Sequence, residues 1–293
     1  MIKIILDTDL GSDCDDAGAL SVLHNLANNN EADVLAVTYC GSAISSAVSI
    51  QLINEWYNRG NIPVGIYTKK SFLDNDRCKF YTPVLMNQYI EKYEMKQFED
   101  SVRVLRKALV ENEDVTLIAI GMQNNIAELL KSGADDISEL SGAELVKKSI
   151  KNMYAMGGCF NNPKYKEYNI ATDTESAIYV SENFPAPVYY CGFELGEYIK
   201  TGVNLWKCPK NHPTRQAYSI YCKTKEFTHF SWDLITVYCA VHTDTDLYKK
   251  SRGCSITFDE EGRTILSEGG KDYYMIENAS PAEITRAIDE LLI

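Results

Sequence analysis

IILDTDLGSDCDDAGAL, residues 4–20, places five aspartates, Asp7, Asp9, Asp13, Asp15 and Asp16, directly after one apolar run and directly before another apolar pattern. Residues 2–6, with Lys3 as the polar exception, read as a buried strand, and Ala17, Leu20, Leu23 and Ala27 share one helical face. The acids therefore fall on a strand-to-helix turn, with Gly11 supplying the bend. In an open α/β sheet such a turn lies at the carboxyl edge, where ligands bind. Crowded carboxylates are costly unless a cation neutralises them, and an all-oxygen cluster suits calcium or magnesium. A solvated acidic loop is the plainer alternative, and the abutting strand weighs against it. An EF-hand is excluded: the twelfth position from Asp7 is Gly18, where that loop needs a bidentate Glu, and no helix precedes it.

At 293 residues, with 45% apolar and 24% charged residues, the composition is that of a globular protein with a substantial core. A net charge of -12 with no basic stripe argues against nucleic acid as a partner. Met1 runs directly into the first strand, so no signal peptide is expected, and no apolar stretch approaches the roughly 20 residues of a membrane span. The nine cysteines include no Cys-x-x-Cys pair, so reduced thiols in a cytoplasmic protein are expected. Cys14 and Cys159 have no adjacent His to make a thiolate and are read as packing residues.

Outward from the acidic turn, strand-like runs recur at residues 33–38, 61–67, 114–120, 151–156 and 187–191. Helices are expected at 43–57, twice between 84 and 110, at 124–130, after Thr172 with Glu175 at capping-box spacing, at 211–228 and at 231–241. Residues 69–82 form a long polar loop without periodicity. Antiparallel strands are expected at 254–258 and 272–276, then a helix at 281–292. No composition break divides the chain. The expected fold is one α/β domain over residues 1–293: an open, mostly parallel, Rossmann-like sheet flanked by helices, with a small antiparallel C-terminal addition.

Three strand ends carry polar residues that a parallel sheet would bring to one edge: the acidic turn, residues 121–125, and residues 157–169. The third offers Asn161, Asn162, Glu167 and Asn169. Amides and a carboxylate without a basic counterpart suit a neutral polyhydroxylated ligand, although Asn-Asn-Pro is also a common turn and Glu167 could be a solvated loop acid.

These segments together resemble the inosine-uridine-preferring nucleoside hydrolase family. Its Asp-x-Asp-x-Gly strand end and following Asp-Asp pair correspond to Asp7-Thr8-Asp9-Leu10-Gly11 and Asp15-Asp16, with Ser12-Asp13-Cys14 between them where the best-known members are shorter. Gly157-Gly158 and Glu167-Tyr168-Asn169 resemble its Met-Gly-Gly and Glu-Phe-Asn segments, and GMQNNIA at 121–127 resembles its Gly-Pro-Leu-Thr-Asn-Ile-Ala. Trp232-Asp233 stands where a His-Asp pair is usual. The motifs keep the family's order from residue 1 to about residue 241.

The resemblance implies calcium held by Asp9, Asp16, Asp233 and the main-chain carbonyl of Ile120, with Asp9 as general base. It implies ribose hydroxyls held by Asp15, Glu167 and Asn169, and Asn161 near the 5'-hydroxyl; Asp7 would support the cluster from behind, and Asp13 has no role assigned. A small-molecule nucleoside substrate and a homodimer or homotetramer follow from the same resemblance. Two departures stand out. Gly41-Ser42 replaces the usual Gly-Asn, and Trp232 replaces the His that protonates the leaving base. Purine-preferring members carry Trp there, with the base stacked between aromatic rings, so Trp232 is read as a base platform and alternatively as a core aromatic. His229 and Tyr81 are the remaining base-side donors. Two other functions compete: a nucleoside- or sugar-binding homologue without turnover, and a magnesium-dependent phosphohydrolase of the haloacid dehalogenase type. The latter lacks the Thr or Val after Asp9, and no Lys follows until Lys69.

Overall fold

In the computed structural model, which describes residues 1–223 and 226–293, β1 (Ile2–Thr8) runs through the middle of the sheet. Its side chains alternate between two cores, Ile4 and Leu6 facing one and Ile5 the other, which is why the run is apolar without a polar face. Helices α1 (Asp15–Asn28) and α2 (Ile44–Trp56) flank β2 (Ala32–Tyr39), followed by β3 (Val64–Ile66), α3 (Thr82–Ile90), β4 (Glu99–Asp100) and α4 (Ser101–Glu111). Then come β5 (Val115–Ala119), α5 (Asn124–Lys131), α6 (Gly142–Ser149), β6 (Ile150–Met156), the short α7 (Tyr168–Thr172), α8 (Thr174–Asn183) and β7 (Val188–Cys191). The remainder is α9 (Phe193–Gly196), β8 (Lys200–Thr201), α10 (Pro213–Cys222), β9 (His229–Phe230), α11 (Trp232–Val241), β10 (Tyr248–Lys250), β11 (Cys254–Phe258), β12 (Thr264–Glu268), β13 (Tyr273–Glu277) and α12 (Pro281–Leu291).

The nine-stranded sheet has the order β10-β13-β7-β6-β5-β1-β2-β3-β4, parallel throughout except for β10 against β13. Helices cover both faces, so this is one α/β domain with small antiparallel additions, as the pattern of strands and helices implied. Among the described residues, no helix is long and apolar enough to cross a membrane.

Three expectations change. Residues 254–258 pair with β12, a strand the sequence did not reveal, while β13 joins the main sheet beside β7. The strand β12 is exposed along almost its whole length, so it has no buried face to leave an alternating signature. Helix α8 is capped by Asp173, whose carboxylate accepts from Ser176 N, rather than by Thr172, which closes α7. The helix expected at 211–228 ends at Cys222, and residues 224–225 lie outside the described residues.

Candidate active site

The strand ladder fixes where the acidic turn lies. Asp7 is in register with Ala119, Ala119 with Ala155, and Met156 with Cys191, so the carboxyl ends of β1, β5, β6 and β7 open on one side. Behind that edge Asp7 ties three segments together: its Oδ1 accepts from the Thr38 hydroxyl and from Asn125 Nδ2 at 2.8 Å, and Asn125 also donates to the Tyr39 carbonyl at 3.2 Å. Burial pushes the Asp7 carboxyl up to about 7, against the pull of those two donors.

A cavity of about 290 Å³ opens above this edge, with Asp9, Asp13, Asp15, Ile120, Glu167, Asn169, Trp232 and Asp233 in its wall. Asp9, Asp15, Asp16 and Asp233 are all buried. Ligand atoms of Asp15, Asp16 and Asp233 lie within 4.8 Å of one another. Asp9 is outside that trio but beside it, since its charge helps raise the carboxyls of Asp16 and Asp233. Burial is the main cause of the rise in all four acids, and Asp9 is pushed up to about 8 by burial and then by Asp13.

The helix start helps to hold this charge. Asp15 and Asp16 open α1, where the backbone dipole favours negative groups, and Asp15 Oδ2 accepts from Asp233 N at 3.3 Å. Thr8 donates its hydroxyl to Asp16, and Ser12 donates to Asp9 at 3.1 Å. Asp15 Oδ1 and Asp16 Oδ2 are buried with no hydrogen-bond partner. Asp15 lines the cavity together with Ile120 while Asp16 lies behind it, and unpartnered buried carboxylate oxygens are a donor set that fits a hard divalent cation.

Glu167 and Asn169 line the same cavity. Glu167 caps α7, its oxygens accepting from Asn169 N at 2.9 Å, Ile170 N at 3.1 Å and Gly158 N at 3.3 Å. Asn169 Nδ2 donates to the carbonyls of Ile120 at 3.2 Å and Met156 at 3.3 Å. Asn161 lies elsewhere: it is exposed, receives the Cys159 thiol at 3.2 Å, and borders a separate surface depression with Phe160 and Glu194. Tyr81 is fully buried and lines no part of the cavity, whereas His229 does. Ser42 also faces away, exchanging hydrogen bonds with Phe72, from its hydroxyl to the carbonyl at 3.1 Å and from Phe72 N to the hydroxyl at 2.9 Å. Cys14 and Cys159 are buried, and burial raises both thiols, as packing residues require.

Trp232 lines the cavity but is already engaged. Its ring stacks on Phe193 at 5.4 Å, and its Nε1 donates to the Phe193 carbonyl at 2.7 Å. That spacing is direct ring contact and admits no third ring between the two. Tyr165, Tyr168, Phe193 and Tyr221 complete an aromatic wall that the sequence did not single out, because single aromatics from one loop and three separate helices share no common spacing.

The sequence pattern of the family described as inosine-uridine preferring nucleoside hydrolase matches residues 4–290. The chain belongs to this family. No curated protein matches it by sequence. Solved structures of the same fold include an inosine-uridine preferring nucleoside hydrolase from Bacillus anthracis, 16% identical with a TM-score of 0.76, covering 100% of this chain and 99% of that one. A plant nucleoside hydrolase is 18% identical with a TM-score of 0.75, over 99% of this chain and 98% of that one. A purine-preferring ribonucleoside hydrolase from Gardnerella vaginalis is 19% identical with a TM-score of 0.72, over 99% of this chain and 98% of that one. As a nucleoside hydrolase, the chain is an enzyme that hydrolyses the N-glycosidic bond of ribonucleosides. Asp9, Asp15, Glu167, Asn169 and Asp233 line its acid-walled cavity.

Proposed function

We propose that this nucleoside hydrolase uses calcium, held by Asp9, Asp16, Asp233 and the Ile120 carbonyl, with Asp9 as general base and a preference for purine nucleosides. The observation that carries the reading is the set of buried, unpartnered carboxylate oxygens at the head of α1, beside a cavity of nucleoside size. Asp15 meets Asp16 and Asp233 closely enough to join the metal ligands in addition to binding ribose. A divalent cation in this site supplies positive charge that makes an adjacent water easier to deprotonate.

Asp9, in the cavity wall beside the acid trio, would take the proton from such a water. The water oxygen bonds to C1' as the C1'–N bond breaks, and the base leaves with the bonding electrons and takes a proton from solvent, to which Asp9 returns its own. The surrounding carboxylates stabilise the positive charge that develops on the ribose. Asn169, its amide hydrogens engaged by Ile120 and Met156, keeps its oxygen for a ribose hydroxyl. Glu167 accepts three backbone N–H groups and retains one acceptor position for another hydroxyl.

Among the described residues no Lys or Arg lines the cavity, which speaks for an uncharged nucleoside and against a phosphorylated substrate. A cytoplasmic homodimer or homotetramer is part of the same reading. A screen of inosine, adenosine, guanosine and uridine for ribose release, with p-nitrophenyl phosphate alongside, tests it. Faster release from the purine nucleosides and no phosphate release are expected. Phosphate release without ribose release would overturn the assignment.

A further inference from the structure

Asp13, left without a role by the family's motifs, belongs to a second group of ligating side chains. Ligand atoms of Asp13, Asp15 and His229 lie within 4.8 Å of one another in the cavity wall. His229 Nε2 stands 3.6 Å from Asp13 Oδ2, beyond the roughly 2.7–3.2 Å of an N–H···O hydrogen bond. Two ligands each about 2.0–2.1 Å from one tetrahedral ion sit roughly 3.4 Å apart, so the gap is closer to that of a shared metal. Both His229 Nε2 and Asp15 Oδ1 are shielded from solvent without a hydrogen-bond partner, and Asp15 is 1% exposed. The imidazole is held from the side by Tyr221, edge-on at 4.8 Å.

Charge favours the same conclusion. Asp13 adds to the repulsion felt by Asp9, Asp15, Asp16 and Asp233, and one divalent ion offsets only two of these five carboxylates. The nitrogen ligand distinguishes this group from the all-oxygen trio beside it, since imidazole suits borderline ions such as zinc better than calcium.

We propose that Asp13, Asp15 and His229 form a second cation site, selective for a borderline divalent ion such as Zn2+, which shares Asp15 with the acid trio. The site stands or falls independently of turnover, because ion uptake is read directly.

Calcium-saturated full-length protein titrated calorimetrically with Zn2+ is expected to take up one further ion per chain. Asp13→Asn and His229→Gln are each expected to weaken that step by at least about tenfold. With Mn2+ as the probe, pulsed electron paramagnetic resonance should detect nitrogen coupling in the wild type and lose it in His229→Gln; the trio offers only oxygen. No Zn2+ uptake beyond calcium, uptake unchanged in His229→Gln, or Mn2+ without nitrogen coupling would each overturn the proposal. If a variant does not fold, the wild-type nitrogen measurement decides alone.

Discussion

Asp9 and Glu167 are both buried acids in one cavity, yet their partners set them apart. Glu167 is committed to three backbone N–H groups of its own loop, whereas Asp9 receives only the Ser12 hydroxyl from a side chain. As the proposed base, Asp9 is the more sensitive position: Asp9→Ala should lower kcat by about 10²–10⁴, and an unchanged kcat would remove the assignment. Glu167 yields a prediction about pH. Burial pushes its carboxyl from 4.5 up to about 7 despite the three donors. The folded protein therefore keeps a proton that the unfolded chain releases, so this contribution is full below about pH 4.5 and lost as pH rises through about 7. Asp7, raised from 3.8 to about 7, acts in the same direction. The Tm of metal-free protein should fall between about pH 5 and 7, with a shallower fall in Glu167→Gln; a Tm rising over that range would contradict the pairing. At this scale the acids of the first turn were legible because they follow a buried strand directly. Asn161 falls outside the cavity, and Asn-Asn-Pro gives no sign of which way a loop turns.

The elements around the acidic turn depend on one glycine and one serine. Gly11 has φ +134, and a side chain there would run into the Cys78 carbonyl of the loop spanning residues 69–81. Gly11→Ala should destabilise by about 1–3 kcal/mol, read as a lower denaturant midpoint. Ser42 fastens the same loop at Phe72. Ser42→Ala should speed proteolysis of the loop while changing kcat less than threefold or so; a large loss of kcat with the loop still protected would mean that Ser42 acts in the site after all. The change from an unbroken apolar run to period 3.6 around the aspartates made β1 and α1 readable. β12 was not readable, since an exposed strand has no buried face, and neither was its pairing with β11 in place of β13.

Across the molecule, Asp233 reaches the cavity on α11, after a strand of a separate antiparallel pair, whereas the parallel register brings the ends of β1, β5 and β6 to one edge, and that convergence was legible from the order of strand ends. The aromatic wall was not. Tyr165 sits on Phe193 at 4.3 Å and Phe193 on Trp232, contacts among a loop and two helix starts far apart in sequence that no spacing announces. They also revise the expectation for the base, which can meet only the part of Trp232 left open to the cavity. Trp232→Ala should still raise KM for purine nucleosides more than for uridine, with stacking worth about 1–3 kcal/mol. The central proposal is that the buried acids work through a bound cation. It is tested most directly by ribose release from inosine before chelation, after removal of divalent ions, and after calcium is restored. Loss of activity by about a hundredfold or more on chelation, recovered with calcium, is predicted; full turnover in chelator would contradict it.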